Sequence, residues 1–245
     1  MTLFRIRALL TTCTALFAIC AHTCAQGTHA QTGRPLSAQE IVAKHIDALG
    51  GKDRLQSINS VFIEGVAIAG NGTSIDTKLW KVYDRLYRQE VSFGGASTVT
   101  IVTPSRGWVS NQGEFKSLPN TKLRAMQPQL DPAGALADYA QKGCRVDLDG
   151  RDTVNDRPCY RIRLSCPMGQ SVVYSIDEKT YFILKETRKD ATTFEYADYK
   201  KTPEGYIFPY TIVNNDSGAR MNVERVEVNH SVNVDGLSRP KWQDK

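Results

Sequence analysis

Motifs that carry chemistry are what this chain lacks. Beyond residues 1–25 the histidines are His29, His45 and His230, far apart and without the spacing that holds a metal. There is no H-E-x-x-H, C-x-x-C, G-x-S-x-G, phosphate-binding loop or G-x-G-x-x-G. Asp147 and Asp149 form an i,i+2 acid pair, but they alternate with Val146 and Leu148. On a strand that places both acids on one solvated face rather than in a site. No catalytic residue, metal or cofactor is assigned from these residues, and an enzyme is not expected. The charge balance is also mild. The formal net charge of +5 is spread without a basic block, which argues against nucleic acid as a partner. Long apolar runs are missing too: Ala8 to Ala21 falls short of the roughly 20 residues that span a bilayer as a helix.

That short run sits in an export leader. Arg5 and Arg7 supply a basic start, and Thr23-Cys24-Ala25 places small residues ahead of Gln26, as signal peptidase requires. Residues 1–25 therefore read as a cleavable signal, with a second cleavage site at Thr28-His29-Ala30. Ile19 and Thr23 precede Cys20 and Cys24 where a lipoprotein signal wants a small residue, so a soluble rather than lipid-anchored product is expected. Residues 26–36 are polar and aperiodic and read as a flexible leader. Losing Arg5 and Arg7 lowers the net charge to +3.

Three cysteines remain after cleavage, Cys144, Cys159 and Cys166. The segment between the first and last reads as a hairpin turning at Asn155-Asp156, which brings positions 144 and 166 almost opposite each other. A Cys144–Cys166 bridge with Cys159 free and buried is one reading; three unpaired cysteines packed as small hydrophobes is the other.

The element pattern is β-rich. Ser37 and Glu40 form a capping box, Ile41, Val42, His45, Ile46 and Leu49 recur at helical spacing, and Gly50-Gly51 ends the helix. His45 falls on or beside the apolar stripe and reads as a packing residue. From Ser60 onward, strand-like runs alternate with turn residues such as Gly70-Asn71-Gly72 and Asp177-Glu178-Lys179. Two helices are expected in the middle, a loose one at Thr121–Met126 and one over Ala133–Gln141, capped by Asp131 with Pro132 at the first position. Eleven to thirteen strands without a helix after each one exclude a βαβ sheet. They favour a curved antiparallel sheet or unclosed barrel with a helical lid, over residues 37–234. Residues 235–245 read as a polar, loosely held tail.

Several strands carry apolar or aromatic residues on both faces, so each face should pack against something. One possibility is a sheet with one face covered by helices and the other facing water. The other is a curved sheet enclosing an apolar cavity. Bulk on predicted strands nominates Trp80, Leu86, Phe182, Leu184, Phe194 and Phe208 as ligand-binding residues lining such a cavity.

Four segments carry a resemblance. They are Ser37-Ala38-Gln39-Glu40-Ile41 through Ala48-Leu49-Gly50-Gly51, then Ser175-Ile176-Asp177-Glu178-Lys179-Thr180, then Tyr196-Ala197-Asp198-Tyr199 leading to Gly205-Tyr206-Ile207-Phe208-Pro209, and Val226-Glu227-Val228-Asn229. In this order the chain resembles the bacterial outer-membrane lipoprotein-sorting (LolA/LolB-like) superfamily over roughly Ser37 to Val234. The resemblance implies an unclosed antiparallel barrel around an apolar cavity, lidded by helices. It further implies a monomeric periplasmic carrier or chaperone for lipid or lipoprotein acyl chains, with no covalent chemistry and with an envelope protein as a further partner. A structural or interaction module of the cell envelope with a filled core is the alternative, and a hydrolase ranks below both. One departure is visible. In the carrier an arginine follows a Leu-Trp pair, whereas here Leu79-Trp80 is followed by Lys81 and Val82, and Tyr83 stands at the arginine's position.

Overall fold

The first and last strands of the chain pair at the middle of one sheet. In the computed structural model, which describes residues 34–167 and 170–240, β1 (Ser60–Ile68) lies antiparallel to β13 (Ala219–Val228), with Val61 opposite Val228. From β1 the chain steps outward through β2 (Ser74–Val82), β3 (Leu86–Phe93), β4 (Ala96–Val102), β5 (Gly107–Asn111) and β6 (Glu114–Ser117) to one edge. It then crosses to the opposite edge and steps back through β7 (Arg145–Val154), β8 (Arg157–Ser165), β9 (Ser171–Asp177), β10 (Ile183–Arg188), β11 (Thr193–Lys201) and β12 (Ile207–Asn214). All thirteen strands belong to this one antiparallel sheet, which does not close into a barrel. The export signal and most of the leader lie outside the described residues.

The sheet is curved, and its electrostatics show it. Six strand spacings separate β3 from β10, roughly 29 Å if the sheet were flat. Yet Arg188 of β10 acts on the Tyr87 phenol of β3, and Arg188 and Glu186 both act on Lys81 of β2. Charges that far apart in a flat sheet would be screened, so these strands face each other across a concave surface. Directly paired residues of antiparallel strands share a face, which places Val61, Lys81, Tyr87 and Val102 together on it.

The helices before β1 and after β6 pack on this same face. Helix α1 (Ala38–Ala48) starts at Ser37, whose hydroxyl accepts from the Glu40 amide while the Glu40 carboxylate accepts from the Ser37 amide at 2.9 Å. It ends in a Schellman turn, with the Gly51 amide donating to the Ile46 carbonyl and Gly50 at φ 114°. Its stripe of Ile41 and Val42 is fully buried against Val146, Ile162, Leu164, Tyr174 and Ile176 of β7–β9. Each such side chain contributes about 1.5–3 kcal/mol. The next helix, α2 (Lys52–Gln56), buries Leu55 beside Ile58, Val61, Val226 and Val228 at the centre of the sheet. After β6, helix α3 (Asn120–Met126) and a 3-10 turn at Gln127–Leu130 bring Leu123, Met126 and Leu130 over Tyr87 and Val102.

Two expectations need correcting. Ala133–Gln141 is a succession of turns, not a helix. Gly134 and Asp138 have φ of 88° and 52°, which no α-helix accepts, while Leu136 and Ala137 are buried beneath the segment. The cap bond itself forms, Asp131 accepting from the Ala133 amide, but the positive φ at Gly134 and Asp138 stops a helix from following it. The second correction concerns the tail. Helix α4 (Val234–Leu237) docks on the convex face, where Val232, Val234 and Leu237 cover Leu86, Ile101 and Phe115. Arg88 fastens it by donating to the Leu237 carbonyl at 2.9 Å. Residues 241–245 lie outside the described residues.

Cys144 and Cys166 are bonded, flanking the Arg145–Ser165 pair at the β7–β8 edge, and Cys159 is free and buried. Burial pushes the Cys159 thiol up to about 11. Asp149 is paired with Arg161 and Arg163, and Asp147 with Arg145, so both acids serve surface ion pairs.

Candidate functional site

Where the helices stop, the concave face stays partly uncovered. On β11 and β12, Tyr196 pairs with Ile212 and Phe194 with Asn214, and Phe208 and Tyr210 lie on the same side as Ile212. Phe194, Tyr196, Phe208, Tyr210 and Ile212 are all half-buried, an aromatic band only partly screened by the helices. Leu79 of β2, opposite Ile63, adds to the far side of the same face.

Set into this band is a polar cluster from three parts of the sheet. Glu186 of β10 lies between Tyr174 of β9 and Phe194 of β11 in the register, so all three share the concave face. The Glu186 carboxylate accepts from Arg188 Nε at 2.7 Å and from the Tyr196 hydroxyl at 2.9 Å. Arg188 also lies over the Phe194 ring, 4.5 Å from its centroid. Burial raises the Tyr87 phenol to about 12 and holds those of Tyr174 and Tyr196 higher still, the Glu186 carboxylate adding to the rise in the last two. All three are neutral hydroxyls at physiological pH. Lys81 is held below the ordinary lysine range by burial, against the pull of Asp131 and Glu186. Among the described residues its ammonium has no hydrogen bond or ion pair.

The six nominated lining residues divide between the faces. Phe194 and Phe208 stand on the concave face. Leu86 is fully buried on the convex face, under α4. Trp80 is also convex, opposite Phe62 and Arg88 and 5.0 Å from the Phe62 ring. Leu184 sits at a bulge between Ile183 and Lys185, which turns it to the convex side against Val154 and Cys159. Phe182 belongs to the turn before β10 and stacks on Tyr199, centroids 4.3 Å apart. Sequence reasoning did not nominate Lys81, Glu186, Arg188 or Tyr174; a signal was available only for Lys81, a charge between Leu79 and Tyr83 on one face of its strand.

Two hollows lie apart from this band. One of about 430 Å³ is lined by Gly50, Asp53, Arg54, Ser57, Glu204 and Tyr206. The other, of about 320 Å³, is bordered by Glu64, Asp76, Lys78, Glu90 and Glu224. Both are polar surface features. Among the described residues no three metal-ligating side chains gather, and no helix is long and apolar enough to cross a membrane.

No protein-family model matches the chain, and no curated protein matches it in sequence. Solved structures do. The fold is similar to a LolA superfamily protein from Nitrosomonas europaea, at 12% identity and TM-score 0.53, covering 84% of this chain and 99% of that one. It is similar to an outer membrane lipoprotein-sorting protein domain from Vibrio parahaemolyticus, at 13% identity and TM-score 0.50, covering 82% and 98%. A DUF1329 family protein from Desulfovibrio piger matches at 11% identity and TM-score 0.53, covering 82% and 97%. The chain therefore has the LolA-like fold: an open, curved antiparallel sheet with helices on its concave face.

Proposed function

We propose that this chain is an exported, monomeric carrier that holds acyl chains of lipid or lipoprotein against its concave face, in the periplasm. The observation that carries this reading is the half-buried aromatic band of Phe194, Tyr196, Phe208, Tyr210 and Ile212. Side chains of that size are ordinarily covered, and an acyl chain lying on them would gain about 0.8 kcal/mol for each CH₂ withdrawn from water. The crossover from β6 to β7, with α3 and the turns after it, lies over the same face and serves as the lid. The Vibrio parahaemolyticus lipoprotein-sorting domain supports the reading by shared fold. The leader supports export, and an envelope protein is the natural donor or acceptor of the cargo. Carrying requires no covalent step, so the chain acts without catalysis.

A second reading, an envelope interaction module with a filled core, draws on the dense packing beneath α1, where Ile41, Ile162 and Ile176 are fully buried. Mass spectrometry of organic extracts separates the two. Protein secreted by its own leader and purified without detergent should yield acyl lipid near one molecule per chain under the carrier reading. Lipid-free protein that also fails to take up lipid from vesicles would favour the filled module.

A further inference from the structure

Two polar groups on the concave face point into it without a partner. Lys81 is flanked in the register by Val61 and Tyr87, both buried, and its ammonium makes no hydrogen bond or ion pair among the described residues. Tyr174 is 5% exposed, and its hydroxyl likewise has no hydrogen-bond partner among the described residues. It is not sealed off either, since Arg161 Nε is the sole fully buried side-chain N or O left unpaired among them. The surrounding charges are already matched. Glu186 is taken by Arg188 and Tyr196, and Asp131 by Lys142. One positive charge is left over on a largely apolar face. Lys81 is only partly buried and its ammonium, like the Tyr174 hydroxyl, still touches solvent, so an anion settling there would pair with it as ligand and protein shut water out.

We propose that Lys81, with Arg188 and the Tyr174 hydroxyl, forms an anion-receiving site on the concave face, so that the ligand is an amphiphile with one negative charge whose headgroup is drawn inside. The inference rests on the carrier reading and narrows it from acyl chains in general to acid-headed ones. Lys81 supplies the unmatched charge. Arg188 keeps donors beyond those directed at Glu186, because a guanidinium has five N–H groups. Tyr174 donates one further hydrogen bond. The aromatic band beside them takes the chain, and Arg188 lying over Phe194 joins the two halves of the site.

Calorimetric titration of delipidated protein tests it with palmitate, with the uncharged alcohol of the same chain length, and with inorganic phosphate. Wild type should bind palmitate about tenfold or more tighter than the alcohol, the scale of a charge-assisted hydrogen bond. Lys81→Met should bring the two within about twofold by weakening palmitate alone, and Lys81→Arg should keep the preference. Tyr174→Phe should lower palmitate affinity by a few-fold without touching the alcohol. Thermal melts of each ligand-free variant confirm folding, and Lys81→Met should melt no lower than wild type. Equal wild-type affinities for acid and alcohol, or a Lys81→Met loss shared by both, would overturn the anion site and leave the carrier standing. Displacement of palmitate by equimolar phosphate would overturn it in favour of a small-anion site. Absence of binding by both chains overturns site and carrier together.

Discussion

The imidazole of His45 donates from Nδ1 to the Tyr181 carbonyl at 2.8 Å, fastening α1 to the turn that precedes β10. A carbonyl can only accept, so the proton sits on Nδ1. Tyr181 itself has φ 58°, and the turn that holds it is built by the Asp177 carboxylate, which accepts from the Thr180 amide and hydroxyl. One buried histidine thus ties the helix to the rim of the aromatic band.

Acid should loosen this fastening. Burial lowers the His45 pKa to about 4, with the Tyr181 hydrogen bond opposing the shift. The unfolded chain, near 6.5, takes up the proton first, so stability is full above about 6.5 and falls as the pH drops toward 4. The loss reaches about 3 kcal/mol. Denaturant midpoints measured across that window should decline more steeply in wild type than in His45→Phe, which keeps only the decline from carboxylates such as Asp152 and Asp177. Equal declines in both would remove His45 from the account.

Gly65 marks the bulge where β1 meets β13. A Cβ there would lie 2.3 Å from the Asn222 carbonyl oxygen and 2.9 Å from Val223 Cα. Both are backbone atoms at the centre of the sheet and have little room to yield. Gly65→Val should cost about 1–3 kcal/mol, seen as a fall in Tm of roughly 2–4 °C per kcal/mol.

The disulfide closes a loop with a sequence separation of 22. Replacing Cys144 and Cys166 with serine should cost about 3 kcal/mol by loop-closure entropy. Oxidised, denatured mature protein should titrate as one thiol, from Cys159, and as three after reduction. The native protein should resist alkylation, since that thiol is buried.

Removing the tail tests the convex face. Deleting residues 231–245 takes away Val232, Val234 and Leu237 and uncovers Leu86, Ile101 and Phe115. At about 1.5–3 kcal/mol for each large side chain returned to water, the truncated protein should bind a hydrophobic dye and self-associate in light scattering. A truncated protein as stable as wild type would mean that the tail only rests on the sheet.

Much of the sheet was legible because its signals are local. Asn155-Asp156 makes the β7–β8 turn with both residues at positive φ, and the Ser37–Glu40 box starts α1. That hairpin's register put Cys144 and Cys166 nearly opposite each other, but left bridged and unpaired cysteines both open until the structure showed the bond. What sequence alone leaves open is which side of each strand faces the helices. Alternation separates Leu79 from Trp80, but only the pairing of Val61 with Lys81 and Tyr87 assigns Leu79 to the concave side. At Leu184 a bulge reverses the alternation, and Leu86 is covered by a tail whose few apolar residues sit among polar ones. The polar cluster was hidden for the same reason. Lys81 and Glu186 are separated by more than a hundred positions and meet only because the sheet curls.

A face-resolved binding titration tests the carrier reading most directly. Delipidated protein is titrated with a fluorescent long-chain fatty acid, alongside Phe208→Asp on the concave face and Trp80→Ala on the convex face. Wild type and Trp80→Ala should take up the probe saturably at about one per chain, and Phe208→Asp should bind it about tenfold or more weakly, a carboxylate having entered the apolar band. Unsaturable uptake by wild type, or weakening by Trp80→Ala with none by Phe208→Asp, would contradict the account.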